Sequence, residues 1–305
     1  MDQQYYAHGK ILLTSEFMIL HGARALAVPL NLGQSLKLQP KSDPGTLHWT
    51  AMYNAQSWFK TKIATDTLTV QETTDGSISG NLMHMLKQLL DIKPAFYRQL
   101  TAFDVITDLE FHPEYGFGSS STLTHLLSRW AEIDPMQLHF RISRGSGYDV
   151  ACAGADSPLL YQVVNDMPVS ETVEFLPDCM EQMYLVYLGK KQRSESSVAA
   201  FLDHYHPGQA DIDYFSGLTS DMLKANSVEE LGSVMEAHEN RLSSILQTPV
   251  LKTLKFPDLN GYVKSLGAWG GDFALIVTDW DRETIADYLN KKGMSDWYPY
   301  SELVL

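Results

Sequence analysis

The stretch Pro113-Glu114-Tyr115-Gly116-Phe117-Gly118-Ser119-Ser120-Ser121-Thr122 carries the densest chemistry in the chain. An alternating apolar run at 102–111 precedes it, and the helical spacing of TLTHLLSRWAEI follows it through about residue 132. The pattern therefore predicts strand, tight loop, helix. Two glycines let the backbone turn sharply and approach a ligand closely. Serines opening a helix offer unpaired amides at the positive end of its dipole, which favours phosphate, and their hydroxyls can ligate Mg2+. A plain Gly turn with a Ser N-cap fits the same residues. The GxxxxGK[ST] pattern occurs nowhere in the sequence, which argues against a P-loop NTPase.

Three further segments stand out. In His8-Gly9-Lys10-Ile11-Leu12-Leu13-Thr14-Ser15-Glu16-Phe17, a lysine enters an apolar strand. It needs a carboxylate or phosphate partner if it points inward, or it is a solvated lysine at a strand start. In Arg144-Gly145-Ser146-Gly147-Tyr148-Asp149-Val150-Ala151, Asp149 follows a Gly-rich turn. It can cap a helix or serve as a catalytic carboxylate held against a lysine. Ser265-Leu266-Gly267-Ala268-Trp269-Gly270-Gly271-Asp272 runs from a predicted helix into a strand, and its glycines suit close backbone approach or a helix C-cap.

The chain has 305 residues, with 23 Lys plus Arg against 37 Asp plus Glu, a net charge of −14. With 44% hydrophobic and 20% charged residues it has the composition of a globular protein long enough for two domains. The acidic balance argues against a nucleic-acid binder, which needs a basic face. No apolar run approaches the roughly 18 to 20 residues that span a bilayer. The N-terminus MDQQYYAHGK lacks the pattern of a signal peptide. Cys152 and Cys179 have neither metal spacing nor a CxxC pattern, and the expectation is a cytoplasmic protein with two reduced cysteines.

Strands are expected at 24–32, 34–38, 46–52, 68–72, 102–111, 158–164, 183–188, 272–278 and 296–299. Helices are expected at 80–91, 195–205, 211–225, 227–247, 251–266 and 281–292. Strands mixed with helices without regular βαβ alternation indicate an α+β chain. The change of character near residue 178 suggests domains at 1–178 and 179–305.

The four segments, in this order, resemble the motifs of the GHMP kinase superfamily, which includes galactokinase, homoserine kinase, mevalonate kinase and phosphomevalonate kinase. Gly9-Lys10, Glu16 and His21-Gly22 match the first motif, followed by Ala25-Leu26-Ala27-Val28-Pro29. Pro113 and Gly116 to Ser120 match the second motif, and Gly267 to Gly271 the third. Ser146 to Ala151 looks like a bacterial subgroup marked by Gly-Tyr-Asp-Ile-Ala. Departures are His8, Ser15, Phe17 and Ser121 at motif positions, and Trp269 and Asp272 where the family usually has small residues. The region 136–141 also lacks the acid that mevalonate kinases usually carry before the catalytic Asp.

The resemblance implies an N-terminal domain like ribosomal protein S5 domain 2 and a C-terminal ferredoxin-like domain. It also implies ATP-dependent phosphoryl transfer to a small-molecule hydroxyl, with Mg2+. Gly116, Gly118, Ser119, Ser120 and Ser121 would cradle the ATP phosphates, with Ser120 on Mg2+. Asp149 would orient or deprotonate the acceptor hydroxyl, and Lys10 would pair with Asp149. Glu16 would lie near the metal or substrate. His21, Gly267, Ala268 and Gly270 would line the substrate pocket, and Lys190 and Arg193 would meet an anionic acceptor.

Mevalonate or a related metabolite is the first expectation for the acceptor. Phosphomevalonate kinase is the alternative, supported by Ser146 to Ala151 and the basic cluster at 190–193. A non-catalytic GHMP-fold binder is the third reading. The expected partner is a small molecule, not a nucleic acid or membrane, and an oligomer is compatible with everything above.

Overall fold

A computed structural model describes residues 3–189, 201, 205–267 and 272–305. The chain forms two compact units that interleave in sequence. The first comprises 1–9, 32–113 and 117–154, and the second 10–31, 114–116 and 155–305. Residue 178 lies within the last of these stretches.

The early strands are β1 (Gln4–Leu12), β2 (Ala25–Pro40), β3 (Thr46–Tyr53), β4 (Gln56–Ala64), β5 (Thr69–Thr73) and β6 (Phe103–Leu109). β7 (Leu159–Val164) and β8 (Met167–Thr172) follow. Strand order is β5-β4-β3-β6-β2-β7-β8, with β1 paired to β2. In the first unit β3 runs parallel to β6 while β2 pairs antiparallel with it, from Gln34↔Leu109 to Pro40↔Phe103. In the second unit Ala25–Ala27 of β2 pair with Leu159–Tyr161 of β7, and β7 and β8 form a hairpin. Sequence pattern breaks β2 at Gly33, yet the strand is continuous. A Cβ at Gly33 would lie 2.2 Å from the Ala7 carbonyl oxygen, so this glycine admits β1 rather than making a turn.

Helices α1 (Gly76–Ile92), α2 (Tyr97–Ala102), α3 (Ser119–Ala131), α4 (Pro135–Ile142) and α5 (Tyr148–Ala153) complete the first unit. Asp75 caps α1 by accepting from the amides of Ser77 and Ile78. α4 carries Pro135 in its first turn and is capped by Asp134. Leu82, Leu86 and Leu89 of α1 and Leu126, Leu127 and Trp130 of α3 pack with Leu36, Leu38, Trp49 and Val105 of the strands. Burial of these apolar faces is the main force holding helices to sheet.

The second unit contains a four-stranded antiparallel sheet of β9 (Met183–Tyr187), β10 (Tyr262–Leu266), β11 (Phe273–Val277) and β12 (Trp297–Pro299), ordered β10-β11-β9-β12. Its helices are α6 (Gln209–Met222), α7 (Val228–Leu246), α8 (Leu251–Lys255), α9 (Arg282–Lys291) and α10 (Tyr300–Leu303). Tyr184, Val186, Val263, Ala274 and Ile276 pack with Ile285 and Leu289 of α9. Phe215, Leu218 and Leu242 of α6 and α7 pack with Phe17 and Met18. The chain is thus α+β, with a large mixed sheet and a small antiparallel one, as expected.

The helix expected over 251–266 is corrected: it stops at Lys255, and Tyr262–Leu266 is a strand. Pro257 disfavours helical backbone at Phe256, and the next residues gain partners along β11, from Tyr262↔Val277 to Leu266↔Phe273. The helix expected at 195–205 lies, save for 201 and 205, outside the described residues. Among the described residues no helix is long and apolar enough to cross a membrane.

Candidate active site

In the first unit the site is built on α3 and α5. Gly118 adopts the left-handed conformation, φ 92° and ψ 39°, and the helix begins at the next residue. Its carbonyl accepts from the Thr122 amide at 2.9 Å. The amides of Ser119, Ser120 and Ser121 precede that first helical bond and have no acceptor within the helix. Ser121 is buried and its hydroxyl returns to the Gly118 carbonyl at 2.8 Å, while Ser120 is exposed. Thr122 Oγ1 donates to Gln34 Oε1 at 2.6 Å, tying this turn to β2. The result is a fixed helix-opening turn whose Ser120 side chain is exposed.

Asp149 lies in the first turn of α5, after Gly147 at φ 86°. It is half-buried, and its Oδ1 accepts from the Val150 amide at 3.0 Å. The preceding loop is fastened by His139 Nε2, 3.1 Å from the Gly145 carbonyl, and by the Gly145 amide on Ser143 Oγ at 3.0 Å.

In the second unit three distant segments converge. Lys10 Nζ donates to the Gly116 carbonyl at 3.0 Å, which answers how a lysine enters an apolar strand. A Cβ on Gly116 would fall 2.2 Å from Asp272 Oδ2. A Cβ on Gly267, itself at φ 77°, would lie 3.0 Å from the same oxygen. Asp272, read from sequence as a departure, is therefore the side chain that both glycines make room for.

Glu16 is 3% exposed and hydrogen-bonded through Oε1 to the buried Lys264 ammonium. Burial pushes its carboxyl up, but Lys264 outweighs this and holds it at about 2. The Ser15 amide donates to His238 Nε2 at 2.9 Å, and Glu16 Oε2 lies 3.1 Å from the same nitrogen. Burial keeps His238 below its usual pKa, so the ring is neutral and accepts at Nε2. Next to it, burial raises Glu239 to about 7, and Ser265 Oγ donates to its Oε2 at 3.2 Å. Ser15 and Phe17 flank Glu16 at φ 62° and 64°. The Met18 amide bonds the Glu16 carbonyl at 2.8 Å, closing a γ-turn of the rare positive-φ kind. Strain of about 1–3 kcal/mol per such residue persists only where surroundings over-determine the backbone.

Sequence reasoning missed Lys264, His238 and Glu239. The available signal was Lys264 inside the buried run Tyr262-Val263-Lys264-Ser265-Leu266, because a buried lysine demands a carboxylate. His21 is half-buried and meets the Phe201 ring edge-on at 5.9 Å. Ala268, Gly270, Lys190 and Arg193 lie outside the described residues. Among the described residues no group of three or more His, Cys, Asp or Glu could hold a metal ion by itself.

No family model and no curated protein matches the sequence. Solved structures do match over their full length. Streptococcus pneumoniae phosphomevalonate kinase in complex with phosphomevalonate and AMPPNP aligns with TM-score 0.73 at 16% identity, over 97% of this chain and 99% of that one. L. major mevalonate kinase in complex with R-mevalonate gives 0.66 at 17%, over 97% and 94%. Lactococcus lactis galactokinase complexed with galactose gives 0.63 at 13%, over 99% and 93%. The chain has the two-domain α+β fold of the GHMP kinases.

Proposed function

We propose that the chain is an ATP-dependent small-molecule kinase that transfers the γ-phosphoryl group of ATP to a hydroxyl of mevalonate or a related metabolite. The observation that carries this reading is the meeting of Lys10, Gly116 and Asp272 from three separate motifs. The amides of Ser119 to Ser121, which have no acceptor within their helix, support it.

Phosphoryl transfer is mostly positioning and charge stabilisation. The acceptor oxygen bonds phosphorus, the bond between the β and γ phosphates breaks, ADP leaves, and the hydroxyl proton passes to Asp149. The Gly116 to Ser121 turn holds the phosphates. Lys10 is steered by the Gly116 carbonyl and supplies a positive charge. Mg2+, when bound, would neutralise phosphate charge, and the exposed Ser120 hydroxyl would be one ligand beside phosphate oxygens and waters. Glu16, with Oε1 taken by Lys264, acts by fixing the Lys10–Phe17 segment.

A phosphorylated acceptor is the second reading, favoured by the likeness to the phosphomevalonate kinase structure and by the Ser146 to Ala151 string. The test is ADP formation from Mg-ATP with mevalonate, phosphomevalonate, homoserine, galactose or no acceptor. Stimulation by mevalonate supports the first reading and by phosphomevalonate the second. Stimulation by none removes both.

A further inference from the structure

We propose that Asp272 is a positioning residue for Lys10 that acts through Gly116: its carboxylate seats the Gly116 backbone, whose carbonyl directs the lysine ammonium. The consequence for phosphoryl transfer rests on the kinase reading. The geometry rests on the second unit alone, to which every residue involved belongs.

Asp272 is fixed by the small sheet. It directly precedes β11, its carbonyl accepts from the Leu188 amide at 3.0 Å, and the next residue pairs across the ladder as Phe273↔Tyr187. Its side chain is buried. Oδ2 is the atom that a Cβ on Gly116 or on Gly267 would meet first, at 2.2 Å and 3.0 Å. The carboxylate is therefore packed against two glycine backbones. Gly116 is not in left-handed backbone, so its missing side chain answers to space and not to φ. Packing this close passes a displacement on to its neighbours instead of absorbing it.

The residue before Gly116 is held by the same two strands. The Tyr115 ring centroid lies 4.7 Å from that of Tyr187 and 5.4 Å from that of Phe273, and those two rings are 5.3 Å apart. These are separations of packed aromatic pairs. Tyr115 thus fixes the entry to Gly116, and Asp272 limits how closely the Gly116 Cα can approach the sheet. The Gly116 carbonyl then receives Lys10 Nζ at 3.0 Å. A lysine ammonium sits on a flexible four-carbon stem, so its direction is set by the groups it donates to. A bond to a neutral carbonyl sets that direction without cancelling the charge.

The test reads the 13C shift of the Gly116 carbonyl by NMR in Asp272→Ala, Asp272→Asn and Asp272→Glu, together with ADP formation. Lys10→Met gives the shift of a Gly116 carbonyl that has lost its donor. Asp272→Ala empties the seat and Asp272→Glu overfills it while keeping the charge, and both are expected to move the signal towards the Lys10→Met value. Asp272→Asn keeps the shape and is expected to leave the signal at its wild-type place. In turnover, Asp272→Ala and Asp272→Glu lower kcat by about tenfold or more with KM for ATP little changed, and Asp272→Asn retains most of the rate. Should Asp272→Ala not fold, Asp272→Glu carries the same comparison. A wild-type signal in both Asp272→Ala and Asp272→Glu overturns the proposal. So does a displaced signal in Asp272→Asn with a normal one in Asp272→Glu, which would place the effect in the charge and not in the seat. If the wild-type chain turns over no acceptor, the kinase reading fails, and the Gly116 shift decides the geometry alone.

Discussion

Lys264 donates a hydrogen bond to Glu16 across 248 positions of sequence, and both side chains are buried. A buried pair of this kind is weak evidence of net stability, because both charges have been taken out of water. Breaking it is a different matter. Lys264→Met leaves a buried carboxylate without its cation and is expected to cost about 3–5 kcal/mol in urea unfolding. Glu16→Gln/Lys264→Met removes the uncompensated charge and is expected to recover most of that. Equal losses in the single and double variants would contradict the account. The pH sign is also fixed. Glu16 falls from 4.5 to about 2 in the folded chain, so its stabilisation is complete above pH 4.5 and is lost as pH falls towards 2.

Glu239 works in the opposite sense. Its carboxyl is raised from 4.5 to about 7, so the folded chain keeps a proton that the unfolded chain releases. Stability from this group is therefore lost as pH rises from 4.5 through 7, by an amount of order 3 kcal/mol. Glu239→Gln removes that slope. His238, kept neutral by burial, gives a slope of opposite sign near its usual pKa in both proteins, so the informative quantity is the difference between them. The change in urea midpoint from pH 5 to pH 8 should be more positive in the variant than in the wild type, because the loss due to Glu239 is gone. Parallel midpoints would show that Glu239 ionises normally.

Gly116 and Gly118 are two residues apart but needed for different reasons. Gly118 is in left-handed backbone at φ 92°, whereas Gly116 is constrained by the Asp272 carboxylate beside it. Gly116→Ala is therefore expected to displace Asp272 and to cost about 1–3 kcal/mol through overpacking. Gly118→Ala should cost about 1–2 kcal/mol through backbone strain. Thermal unfolding measures both, and crystal structures of the variants separate the causes. An unmoved Asp272 in Gly116→Ala would refute the steric account.

Much of this architecture is legible in the sequence, and the exceptions have physical causes. The strand, loop and helix around Gly116 to Thr122 follow from apolar period and glycine placement, as do α1, α7 and α9. Strand β10 was hidden because Val263, Leu266 and the preceding leucines also fit a helical face, and only pairing with β11 decides between them. The interleaving of the two units has no compositional signal, because it depends on which strands pair. At the site, Lys10, Gly116 and Gly267 are visible as motif residues, but Asp272, the side chain that both glycines make room for, looked like an irregularity. Lys264, His238 and Glu239 come together only through tertiary packing of α7 against β10, which no local pattern encodes.

Phosphoryl transfer itself is tested most directly by ADP formation with Mg-ATP and the acceptor panel, run with wild type and Asp149→Asn. The account predicts that one hydroxyl acceptor stimulates ADP release, and that Asp149→Asn lowers the stimulated rate by about 10²–10⁴-fold while still binding ATP. Unchanged turnover in Asp149→Asn, or no acceptor-dependent ADP from the wild type, would contradict it.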